Sequence, residues 1–167
     1  MIRTLAIGIL SMFILPAMLA CEKLPDPVVP DPPQEEQNEG NEENDNTMPE
    51  TIKITISGKT LTVKIVDNEA TKALVAALRE ASITYEADDY GGFEKVGPLG
   101  RSLPTSDTQI TTQAGDVILY SGNQIVLFYG SNTWSYTRIG KMQYESLNEL
   151  KSFLKEGEGI ISVTLSL

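Results

Sequence analysis

Apolar and polar residues alternate strictly at Ile52, Ile54 and Ile56, break at Ser57-Gly58-Lys59-Thr60, and resume alternation at Leu61, Val63 and Ile65. Such period-two runs on either side of a turn predict a β-hairpin in which each strand buries one face. Asp67-Asn68 supplies a cap for the next segment, where Ala70, Ala73, Leu74, Ala77 and Leu78 recur at helical spacing. A short strand follows at 83–87. Residues 88–107 are punctuated by glycine and proline, with room for a brief strand at 94–96. Two apolar strands at 117–120 and 124–129 join at Ser121-Gly122-Asn123, and 133–139 reads as a third. Ser146 with Glu149 fits a capping box for a second helix, whose stripe is Leu147, Leu150, Phe153 and Leu154, ending at Gly157. Ile161, Val163, Leu165 and Leu167 close the chain as a strand. The order is β-β-α-β-β-β-β-β-α-β. A strand-rich chain with two isolated helices and mostly short connections predicts a mainly β domain: a closed eight-stranded barrel with helices plugging its ends.

Period-two alternation also puts Trp134, Tyr136 and Arg138 on one face of their strand. With Tyr90 and Phe93 they form the candidate ligand-binding set, because aromatic residues and arginine are enriched at binding hot spots. The competing reading packs Trp134 and Tyr136 into the barrel or beneath the long loop, with Arg138 paired to Glu94 or a loop carboxylate. An open groove here would suit an extended peptide or small ligand held by stacking and a charge contact.

The N-terminus constrains location. Arg3 precedes an apolar run over 5–15, then Pro16 and small residues up to Ala20, which is the layout of a secretory signal. The run is too short to span a bilayer, which takes roughly 20 residues. Ala20-Cys21 resembles the lipobox of bacterial lipoproteins, with Met18 and Leu19 in the outer positions where that pattern has Leu and then Ala or Ser. Lipidation is therefore expected at Cys21, the chain's single cysteine. Residues 22–50 then carry six prolines, ten acidic residues and one lysine, without an aromatic. Such a segment cannot bury enough apolar surface to fold, and as a tether it reaches about 30 Å or more. The tether carries a net charge of −9 out of −10 for the whole chain, so the domain at 51–167, with 11 basic and 13 acidic residues, is nearly neutral. The low isoelectric point belongs to the tether, and the lack of a basic patch argues against nucleic acid.

Chemistry is constrained by what is missing. The chain has no histidine, and lipidation consumes its one thiol, which leaves neither Ser-His-Asp nor Cys-His catalysis and no disulfide. A metal site would have only carboxylates and carbonyls. Asp88-Asp89 ahead of Gly91-Gly92 lacks the spacing of a calcium loop, so no metal is expected. Gly130-Ser131-Asn132-Thr133 joins two strands instead of leading into a helix N-terminus, so no flavin or other cofactor is expected there.

Residues 51–167 resemble the bacterial cyclophilin-like domain family. The resemblance rests on ITISGKTLTVKIVDNEATKAL, on DDYGGFEKVGPLGRSLPTSD and above all on AGDVILYSGNQIVLFYGSNTWSYTRIG, in that order. It implies a cyclophilin-type eight-stranded barrel and no settled activity. Cyclophilins proper use an arginine in an F-x-R-type segment and a rim histidine; Arg101 and Arg138 sit in no such motif. The expectation is a lipid-anchored protein of the bacterial cell envelope, at the outer membrane. It would bind a peptide, small ligand or envelope protein without catalysis, with a peptidyl-prolyl isomerase or foldase as the alternative.

Overall fold

The computed structural model describes residues 47–167; the expected signal segment, Cys21 and the tether up to residue 46 lie outside the described residues. The chain runs through β1 (Thr51–Ile56), β2 (Lys59–Ile65), α1 (Glu69–Glu80), β3 (Ile83–Tyr90), β4 (Glu94–Pro98), β5 (Thr108–Thr111), β6 (Asp116–Tyr120), β7 (Gln124–Phe128), β8 (Thr133–Met142), α2 (Leu147–Phe153) and β9 (Ile161–Ser166). Every neighbouring pair is antiparallel. The order β2-β1-β9-β3-β4-β7-β6-β8 returns to β2, so eight strands close a barrel.

Local chemistry explains these elements. Ser57 and Gly58 both have positive φ, 49° and 76°, the backbone form of a two-residue hairpin turn whose twist matches the flanking strands. Gly58 takes that conformation without strain. Asn68 caps α1 by accepting from the Thr71 backbone N–H at 2.9 Å, and its amide donates to the Arg138 carbonyl at 2.7 Å. One side chain thus starts the helix and ties it to β8. Ser146 accepts from the Glu149 N–H at 3.2 Å, and Glu149 accepts from the Glu145 N–H at 2.5 Å, one residue before the position a standard capping box would use.

The interior is solid. Ile52, Ile54 and Ile56 from β1, Val163 and Leu165 from β9, and Leu119, Leu127 and Ile139 from the opposite wall join one apolar cluster with Leu74, Val75 and Leu78 of α1 and with Leu150, Phe153 and Leu154. Leu99 and Leu103, from the loop after β4, also enter this core. Residues just ahead of Thr51 are held as well: Met48 packs on the cluster, Arg79 donates to the Thr47 carbonyl at 2.7 Å, and the Ile65 N–H bonds the Glu50 carbonyl at 3.0 Å.

Two differences from the expected architecture have physical causes. The stretch at 88–107 is more ordered than its glycines and prolines suggest, because β3 continues to Tyr90 and β4 to Pro98. A ninth strand, β5, pairs outside the ring with the first half of β8, Ile110 lying opposite Trp134 and Thr108 opposite Tyr136. Its sequence TQIT is mostly exposed, so it shows no apolar alternation to read.

Closure depends on three residue pairs between β2 and β8: Val63–Met142, Lys64–Lys141 and Ile65–Gly140. A Cβ on Gly140 would lie 2.4 Å from the Lys64 carbonyl oxygen and 2.9 Å from Val63 Cγ1. Only glycine lets the two backbones approach this closely. Gly140→Val is therefore expected to lower stability by about 3 kcal/mol, the scale of severe overpacking, measured by urea unfolding. An unchanged midpoint would show that the seam has slack.

Candidate functional site

Strands β6 and β7 are buried on both faces, which explains their unbroken apolar sequences. Their outward side chains Ile118, Val126 and Phe128 join Tyr136 of β8 in a second cluster on the barrel's outer wall, flanked by Phe93, Val96, Ile110 and Tyr120. Rings run across this wall in a continuous line. Tyr90 meets Phe93 edge-on at 6.3 Å, Phe93 stacks on Phe128 at 6.4 Å, and Tyr136 contacts both Phe128 and Tyr120 edge-on at 5.9 Å.

A cavity of about 420 Å³ opens on this wall, within the range of small-ligand sites. Val96, Val126 and Tyr136 belong to the apolar cluster beneath it; Tyr120, Gln124 and Asn132 contribute further walls. Tyr90 and Trp134 also line it, 63 % and 58 % exposed. Asn132 donates to the Tyr136 hydroxyl at 2.9 Å and so fixes that ring. The remaining lining residue is Glu94, only 6 % exposed, whose Oε2 has no hydrogen-bond partner.

Glu94 owes its position to cross-strand register. Tyr90 pairs with Glu94 and Asp89 with Lys95, so the two couples face opposite sides of the sheet. On the inner side Lys95 is fully buried: it bonds the Glu158 carbonyl, lies 3.2 Å from the Gly159 carbonyl, and pairs with Asp89 at 3.1 Å. Asp89 also accepts from the Tyr129 hydroxyl at 2.6 Å and the Gly157 N–H at 3.3 Å. Burial alone would raise the Asp89 pKa, but the bonds from Tyr129, Lys95 and Gly157 together outweigh it and hold the carboxyl below its usual value. On the outer side Glu94 has no cation among the described residues, and burial pushes its pKa up to about 7. Desolvation, with the Glu94 charge second, raises the Tyr136 phenol as well.

The sequence-based candidates separate in space. Tyr90, Trp134 and Tyr136 meet at the cavity. Phe93 does not line it; it packs behind Tyr90 and Phe128 as a support. Arg138 shares the outer face but is paired 2.7 Å from Asp116 of β6, a buried carboxylate that Lys141 also approaches at 3.4 Å. The register shift at Val117/Ile118 brings Arg138 opposite Ile118, next to that carboxylate. Arg101, by contrast, is exposed in the loop after β4. Sequence reading missed Glu94 as a site residue. Its one signal is a charged pair, Glu94-Lys95, in a short strand between Phe93 and Val96, where alternation must send the two charges to opposite faces. Among the described residues no three acidic or sulfur ligands come together as a metal site would require.

A closed, side-chain-filled barrel with two helices, and with a ligand-sized cavity on its outer wall, defines the class of fold. The chain belongs to the cyclophilin-like family, whose family profile matches residues 54–166. Its fold is similar to the solution structure of a hypothetical protein from Archaeoglobus fulgidus, with a TM-score of 0.51 and 16 % identity over 74 % of this chain and 98 % of that one. No curated protein matches the sequence.

The two carboxylates predict opposite pH behaviour. The Glu94 value of about 7 lies above the ordinary glutamate value of 4.5, so its protonated form contributes stability that is complete below about 4.5 and lost as pH rises through about 7. Glu94→Gln is expected to stabilise the protein at alkaline pH by on the order of 2 kcal/mol and to change little in acid, read from thermal unfolding across pH. The lowered Asp89 value works the other way: its contribution is present above the unfolded pKa and lost as pH falls through the folded one. Asp89→Asn strands the buried Lys95 and should cost about 3 kcal/mol near neutrality; urea midpoints matching the parent protein would contradict this.

Proposed function

We propose that this chain is a lipid-anchored protein of the bacterial cell envelope whose cyclophilin-like domain binds a ligand at its outer wall without catalysing a reaction. The observation that carries the binding role is the cavity itself: exposed Tyr90 and Trp134 at a ligand-sized concavity that also contains an unpartnered, buried carboxylate. Exposed aromatics are not needed for the fold, and a buried orphan oxygen is costly to maintain. The ligand is a peptide, a small molecule or an envelope protein segment that reaches this wall.

Anchoring rests on sequence order: a signal-like segment, Cys21 in a lipobox-like context, an acidic tether, then the domain. The absence of catalysis rests on chemistry. An isomerase of the cyclophilin kind needs a donor aimed at the twisting amide, whereas Arg138 is committed to Asp116, and the chain has no histidine.

Two experiments test the reading on the full chain. Cys21→Ser should abolish palmitate incorporation and release the protein from the membrane fraction; retained labelling would refute lipidation at Cys21. A protease-coupled prolyl-peptide assay, with Arg101→Ala and Arg138→Ala as controls, should show no rate above background. A rate that either substitution removes would convert the protein into an enzyme.

A further inference from the structure

We infer that the outer-wall cavity is a cation site, built for a small molecule that carries an alkylated ammonium group. The inference deepens the binding role proposed above and rests on it. Four aromatic side chains, Tyr90, Tyr120, Trp134 and Tyr136, line the cavity, and its one charged group among the described residues is the carboxylate of Glu94. Among those residues no lysine or arginine lines it. The charge of a carboxylate that is 94 % buried with a partnerless oxygen is offset either by a proton or by a cation brought to it, and the aromatic walls favour the cation.

The neighbouring charges sharpen the point. Asp89, one strand position away, has Lys95, and Asp116 on the same outer wall has both Arg138 and Lys141. The fold neutralises these two buried or half-buried carboxylates and leaves the third, inside an aromatic enclosure, open. Aromatic walls attract alkylated ammonium through their negative ring faces, and they do so best where water is displaced. Such a cation cannot donate strong hydrogen bonds, so it suits a site with one carboxylate and several rings better than a site of many acceptors. A carboxylic acid or phosphate would meet the Glu94 charge at close range with no compensating donor from lysine or arginine.

The test uses choline as the cation and 3,3-dimethyl-1-butanol as its neutral isostere, with the full chain in a neutral detergent. The single tryptophan of the chain stands at the cavity, so its fluorescence reports occupancy directly. Choline should shift the Trp134 emission saturably, and the isostere should bind about tenfold or more weakly, a factor set by charge alone. Glu94→Gln should lose the preference for choline while keeping its fold, checked by circular dichroism. Tyr90→Leu should weaken choline several-fold.

Choline is charged at every pH, so the pH dependence isolates the protein. Its affinity should fall between about pH 8 and about pH 5.5 as Glu94 gains a proton. The other titratable groups near Glu94 are the phenols of Tyr90, Tyr120, Tyr136 and Tyr129, and burial raises those of Tyr136 and Tyr129 away from that window. Equal binding of choline and isostere, or a Glu94→Gln protein that keeps the preference, overturns the cation site but leaves a binding pocket. Absence of any response to choline overturns the cation site, and absence of response to envelope peptides as well removes the binding role with it.

Discussion

Everything in this domain depends on the short seam where β8 returns to β2. Eight strands can be arranged as an open sheet or as a ring, and only the ring gives every strand two partners. The ring closes because one residue, Gly140, has no side chain to hold the strands apart. Once it closes, alternation acquires an absolute meaning: inward positions meet each other in a filled core, and outward positions must be solvated, covered or used. The outer wall at β4, β7, β6 and β8 is the part that is covered, by its own ring of aromatics and by Phe93 and Ile110 reaching over it.

That wall shows how one register assigns two chemistries. Asp89 and Lys95 face in and satisfy each other together with Tyr129 and the chain at 157–159. Tyr90 and Glu94, a single step along the same two strands, face out, and there the Glu94 Oε2 has no hydrogen-bond partner among the described residues. A slip of one residue would exchange the couples and bury the wrong carboxylate. The inner ion pair therefore specifies register as well as holding the loop after α2, and the position of Glu94 in the cavity follows from it.

Much of this was legible in the sequence, and the exceptions are instructive. The hairpin Ile52–Ile65 and the stripes of both helices could be read because each buries one face against an apolar core, the situation in which periodicity is strongest. The face shared by Trp134 and Tyr136 could be read because strand geometry alone puts alternate side chains on one side, even though Trp134 is exposed and Tyr136 is buried. What that face touches could not. The pairing of Arg138 with Asp116 depends on β6 lying beside β8 and on a local shift of register, and neither adjacency is written in one strand. β5 escaped notice because a polar edge strand has no hydrophobic rhythm. Glu94 could be read only as a possible partner for Arg138, and not as a site residue, because a five-residue strand is too short to reveal which of two adjacent charges finds a partner.

The filled lumen has a consequence for how such a domain can change over time. With the core and the closing seam on one side of the sheet and the cavity on the other, residues such as Trp134, Tyr90 and Gln124 can be exchanged without disturbing the packing that holds the barrel together. The scaffold and this outer surface are thus separable under mutation. On the binding role proposed above, descendants of one barrel would acquire different ligands by rewriting a handful of outward positions, and a visiting molecule would meet a standing wall with no door to open first.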